Sequence, residues 1–127
     1  MAHTYKNEFF ALDSTSITTI YTAPSDTAII VKSVQIASTH NSNVLVSLSV
    51  TSGDTTYTVY NHTVSTGTTV NGVEGSMILE AGDVLKITAA TADVISGIVS
   101  YLEITWQYLY LYLQRMLKKL NLLLLNQ

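Results

Sequence analysis

Cysteine is absent from this 127-residue chain, proline occurs once, and charged residues make up only 12%. Without cysteine there is no disulfide framework, no thiolate nucleophile and no zinc site built on sulfur. Low charge leaves serine and threonine to supply the polar surface, which suits adhesion or packing surfaces better than solubility by repulsion. No run of about 18 apolar residues occurs, so a membrane-spanning helix is not expected. The opening "MAHTYKNEFF" lacks the apolar core of a secretory signal and is not expected to act as one.

Charge is unevenly placed. Residues 1–105 carry all nine carboxylates and three lysines, a net of −6, whereas residues 106–127 carry Arg115, Lys118 and Lys119, a net of +3. A nucleic-acid binder would show a basic stripe over its folded body. Here the body is acidic, so direct DNA or RNA binding is not expected.

What the chain has in quantity is short β pattern. Candidate strands run over 16–22, 28–38, 44–52, 55–65, 77–79, 84–89 and 94–105, separated by turn signals such as Pro24-Ser25-Asp26, Ser52-Gly53-Asp54 and Glu80-Ala81-Gly82-Asp83. Over 44–50, Val44, Val46, Leu48 and Val50 point inward with Leu45 outward. Over 57–64, strict alternation sets Tyr57, Val59, Asn61 and Thr63 against Thr58, Tyr60, His62 and Val64. The pair reads as a hairpin. Over 28–38 neither alternate set is purely apolar, as expected where a strand passes between neighbours or bends between sheets. Seven or eight strands at this spacing predict an all-β antiparallel sandwich or jelly-roll-like domain. Residues 1–12 read as an N-terminal arm and 13–105 as the sandwich.

Catalytic signals are few. His3, His40 and His62 show no metal-ligand spacing, and Asp26, Asp54, Asp83 and Asp93 all fall at turns, where a short carboxylate bonds nearby backbone. Glu103 is accounted for by a rim position or a partner lysine. Neither "TSGD" nor "EAGD" has the length or lysine of a phosphate-binding loop. No catalytic, cofactor-binding or metal residues are therefore expected, no cofactor is expected, and the chain is read as not being an enzyme. A hydrolytic sandwich would need His40, His62 and a carboxylate brought together by the fold. Tyr57, Tyr60, Tyr101 and the tail tyrosines could stack on sugars, but tyrosine is also an ordinary strand and interface residue. The sequon Asn61-His62-Thr63 has no secretory signal beside it and carries no weight.

The segments "SITTIYTAPSDTAIIVKSVQIAS", "NVLVSLSVTSGDTTYTVYN" and "MILEAGDVLKITA…VISGIVSYLEIT" resemble small β-sandwich virion proteins of tailed bacteriophages, notably those infecting cyanobacteria and other marine bacteria, over residues 10–105. That resemblance implies a structural protein of the virion, assembled in the host cytoplasm. It further implies a capsid decoration (cement) protein acting as a homotrimer, with the major capsid protein and other virion proteins as partners. The alternative it implies is a neck, tail or fibre-associated module that binds other virion proteins or host-surface glycans. For that role the loops 39–43, 52–55 and 65–72 would form the contact edge.

From Trp106 the composition changes to leucine, tyrosine and lysine. Residues 106–127 contain no glycine or proline, and from Leu113 the apolar residues Met116, Leu117, Leu120, Leu123 and Leu124 recur at helical spacing. The spacing predicts an amphipathic helix from about 106 or 108 to 125. Leu109, Leu113, Met116, Leu117, Leu120, Leu123 and Leu124 form its expected oligomer or partner interface, because so much leucine should not stay exposed.

Overall fold

A computed structural model describes the backbone of residues 2–125 and the side chains of residues 3–105 and 111–125. The strands are β1 (Ala2–Ala11), β2 (Thr18–Thr22), β3 (Thr27–Ser38), β4 (Val44–Ser52), β5 (Thr55–Val64), β6 (Thr69–Asn71), β7 (Met77–Glu80), β8 (Val84–Ala89) and β9 (Ile95–Thr105), followed by helix α1 (Trp106–Leu125). They form two antiparallel sheets. One runs β1-β9-β3-β6 with β7 also on β3, and the other runs β2-β8-β4-β5. The all-β sandwich with a C-terminal helix is therefore as the pattern indicated, with nine strands where seven or eight were expected, two of them outside the seven candidate stretches.

One addition is β6, three residues paired to β3 within a stretch that reads as irregular. The other is β1. The segment expected as an arm pairs along its whole length with β9, from Ala2 opposite Thr105 to Ala11 opposite Ser96. Its alternation of polar and aromatic residues gives no buried-strand pattern because little covers it: residues 3–9 are exposed on both faces. Pairing without burial leaves no periodic trace in sequence.

The core lies between the sheets. Ile29, Val31, Val34 and Ile36 of β3, Leu79 of β7 and Val99 of β9 face Val44, Val46 and Leu48 of β4 and Leu85 and Ile87 of β8, all essentially without solvent contact. Three of the pairings carry a bulge. In β3 the register shifts between Val31 and Ser33, so one extra residue, Lys32, carries the inward face from odd to even positions. That bulge, within a single sheet, is why neither alternate set of 28–38 is purely apolar; the strand does not cross between sheets. A second lies in β2 between Thr19 and Tyr21. The third, in β5, leaves Val59 unmatched between Thr58 opposite Ser49 and Tyr60 opposite Leu48.

Close packing fixes two positions. Gly97 of β9 lies against the Gln35 carbonyl and the Phe10 ring, leaving no space for a Cβ. The Asn71 side-chain oxygen accepts hydrogen bonds from the Val34 and Val73 N–H groups at 3.1 Å each, closing the gap in the ladder between β6 and β7.

Candidate assembly surfaces

Helix α1 begins directly at the end of β9, with no turn residues between them. Its described side chains, 111–125, are exposed without exception. Leu113, Met116, Leu117, Leu120 and Leu123 line one apolar furrow, with Lys119 at its border, and Leu124 continues the same face. Leu109, also expected there, lies among residues 106–110, whose side chains are outside the described set. Each furrow residue keeps at least half of its surface in contact with solvent, Leu123 as much as 66%. The first turn has no acidic residue and the last turn no basic one, so neither end gains from the helix dipole. In proteins most helical stability comes from packing an amphipathic face rather than from propensity. Its stability therefore depends on covering the leucines. Among the described residues no helix is long and apolar enough to cross a membrane.

A second feature opens along the side of the sandwich where β5 and the β6–β7 segment leave the two sheets unjoined. This groove of about 610 Å³ is lined by Tyr60, His62, Asn71, Glu74 and Met77, among others. The Tyr60 and His62 rings sit 5.0 Å apart in a tilted arrangement. Burial pushes the Tyr60 hydroxyl above its ordinary pKa. Tyr57 is exposed at one end of the same strand face. Tyr101 plays no such part: it is buried, and its ring lies 4.5 Å from that of Tyr21.

The histidines are distributed across the fold. His3 lies on β1 opposite Ile104, His62 on β5 opposite Val46, and His40 in the loop after β3. Among the described residues no group of three or more histidines and carboxylates could hold a metal ion. Glu103 does have a partner lysine, Lys6. Of the four turn aspartates, Asp83 bonds backbone as expected, accepting the Glu80 N–H at 3.0 Å; Asp26 and Asp93 instead contribute positive φ values of 59° and 63°. The loops do not form one contact edge. Loops 39–43 and 65–68 meet, with the Thr66 N–H donating to Asn43 at 3.3 Å, whereas 52–55 lies at the other end of the β4–β5 hairpin, about 30 Å away at strand rise.

No protein-family model matches the chain, and no curated protein matches it in sequence. Solved structures do share its fold. A chain of the Bacillus endospore appendages, described as disulfide-linked pili, is 17% identical with a TM-score of 0.53, covering 82% of this chain and 87% of that one. A chain of the T13 IBDV viral particle is 11% identical with a TM-score of 0.50 over 82% of this chain. The matched part is 31% of that viral chain, so this chain spans about a third of its length. At these identities the likeness is one of fold.

Proposed function

We propose that this chain is a structural protein of a bacteriophage virion, a capsid decoration protein that stabilises the shell through oligomeric protein–protein contacts, without catalysis or cofactor. The observation that carries the reading is the unpartnered leucine face of α1, attached to a sandwich whose own core is already complete. Covering one leucine side chain stabilises by about 2 kcal/mol, so six such residues per copy give on the order of 10 kcal/mol before the entropy of association is subtracted. Arg115 and Lys118 lie off the furrow and Lys119 at its border, so the line along which helices meet is itself apolar. Three α1 helices about one axis satisfy this geometry and make the homotrimer expected for a protein at local three-fold positions of a shell. The fold shared with chains of pili and of a viral particle supports a structural role. Because this chain has no cysteine, its own copies associate without disulfide links.

Sedimentation of the full chain tests the reading. The expected species is a trimer of the 13.9 kDa chain or a multiple of it, and Leu113→Glu with Leu120→Glu abolishes three-fold association while the chain stays folded. A full chain that is monomeric at micromolar concentration overturns it. The groove beside Tyr60 and His62 favours the alternative, a neck, tail or fibre module that contacts glycans. Antibody labelling of assembled particles separates the two, over the head for decoration and at the tail for the alternative.

A further inference from the structure

Strand β5 is a free edge of the four-stranded sheet: β4 pairs with one side of it and, among the described residues, no strand pairs with the other. Natural edge strands are usually protected by lysine, proline, shortness or a cover. The sequence of β5, "TTYTVYNHTV", has none of these; the one protective device it does carry is its bulge at Val59. It runs for ten residues with no Lys, Arg, Asp, Glu, Gly or Pro, and residues 55–63 are exposed or half-exposed. The other long edge, β1, differs in carrying Lys6 and Glu8.

The bulge at Val59 makes this edge complementary to itself. Cross-strand partners fix which way each side chain points. Thr55, Tyr57, Tyr60, His62 and Val64 share the inner face with Ser52, Val50, Leu48, Val46 and Val44, whereas Thr56, Thr58, Asn61 and Thr63 share the outer face with Thr51, Ser49, Ser47 and Leu45. When two copies meet antiparallel about a two-fold axis normal to the sheet, opposed residues must lie on the same face. In a regular strand of ten residues the first and last point to opposite faces, so full-length pairing is forbidden. Here the extra residue restores it. Thr55 meets Val64, Thr56 meets Thr63, Tyr57 meets His62, and Thr58 meets Asn61. Each pair is inner with inner or outer with outer, and the bulge itself lies on the axis. No formal charge opposes another anywhere along this contact.

We propose that β5 is a homotypic strand-addition interface that joins two copies of this chain into one continuous eight-stranded sheet, in the order β2-β8-β4-β5-β5-β4-β8-β2. The joint is distinct from the α1 contact. A two-fold joint at β5 and a multi-fold joint at α1 on the same chain allow assembly to proceed beyond a single trimer.

The natural absence of cysteine permits a direct test in the full chain. One preparation carries Thr58→Cys and a second Asn61→Cys; they are mixed and mildly oxidised, and the dimer that resists denaturation without reductant is measured. A second mixture uses Tyr57→Cys and His62→Cys, so that both classes of antiparallel pair are sampled. The interface predicts that at least one mixture links at several times the rate of either of its components alone, since a residue and its own copy are too far apart in this register to bridge. It also predicts that linking persists when Leu113→Glu and Leu120→Glu are added, which separates this joint from the helix. Failure of both mixtures to link, equal linking by single components, or linking lost with the helix substitutions overturns the proposal.

Discussion

Lys6 Nζ lies 3.2 Å from Glu103 Oε1, a diagonal contact that ties edge strand β1 to β9 where the backbone ladder of the five-stranded sheet ends. The Lys6 side chain is 45% exposed and that of Glu103 is 14% exposed, so solvent screens one partner strongly. An exposed pair of this kind contributes less than about 1 kcal/mol. Glu103→Gln should therefore lower the urea midpoint only slightly, and the difference should shrink as salt is raised from 0.05 to about 1 M. A loss of several kcal/mol that salt leaves unchanged would show that Glu103 has another role.

The Tyr21 hydroxyl is buried and geometry gives it no hydrogen bond. Burial first, then the neighbouring Tyr101 hydroxyl and the carboxylates of Glu103 and Glu8, push its pKa well above the ordinary phenol value. Because the folded-state pKa is raised, the unfolded chain loses this proton first. The stabilisation is intact below about pH 10 and is lost as pH rises further. Tyr21→Phe should leave stability at pH 7 unchanged or raised by up to about 1 kcal/mol. It should also reduce the decline between pH 10 and 11, leaving the smaller contribution of Tyr60, whose pKa burial also raises. Parallel declines in the two proteins would contradict this account.

How much of this was readable from sequence depended on burial. Val44, Val46, Leu48 and Val50 alternate cleanly because β4 has one covered face and one open face, and Leu45 is outward as read. Glu103, with its lysine partner, and Asp83, bonded to the Glu80 N–H, also behave as their positions indicate. Misread faces occur where a bulge intervenes. Nothing about Lys32 or Val59 as residue types announces an extra position in the ladder, since the bulge exists only relative to the partner strand. In β5 strict alternation splits Tyr57 from Tyr60 and His62, whereas the structure places all three on one face beside the groove. The groove was not legible at all, because β6 and β7 reach it through pairing with β3. Helix α1 was legible because its leucine period needs no partner to be seen.

Gly97 is held in contact by Gln35 on one side and Phe10 on the other, so the backbone of β3 or the ring of Phe10 must move to admit a methyl group. Gly97→Ala should cost about 2–3 kcal/mol, in the range of overpacked cores, and lower the melting temperature by roughly 10 °C for a domain of this size. Gly53, a turn glycine at φ 61° with open space around its Cβ position, provides the contrast: Gly53→Asn, which tolerates that backbone conformation, should stay within about 1 kcal/mol. Thermal unfolding of the two variants side by side decides whether close approach or backbone conformation is the stricter demand on glycine here.

Removal of residues 1–11 distinguishes a strand from an arm. An arm could be deleted with no effect on the fold. Strand β1, however, supplies every β9 residue from Ser96 to Thr105 with a neighbour on that side and lays Phe10 over Gly97. Its side chains contribute little buried apolar surface, since residues 3–9 are exposed, so the thermodynamic loss should be limited to a few kcal/mol. The larger effect should be on association. The deletion uncovers the full edge of β9, "ISGIVSYLEIT", whose single charge is Glu103, no longer paired with Lys6. An uncovered edge with this β propensity templates strand addition. The shortened chain should therefore keep its β circular dichroism at low concentration yet aggregate, with thioflavin binding, at concentrations where the intact chain remains in defined oligomers. A shortened chain as stable and as well behaved as the intact one would return β1 to the status of an arm.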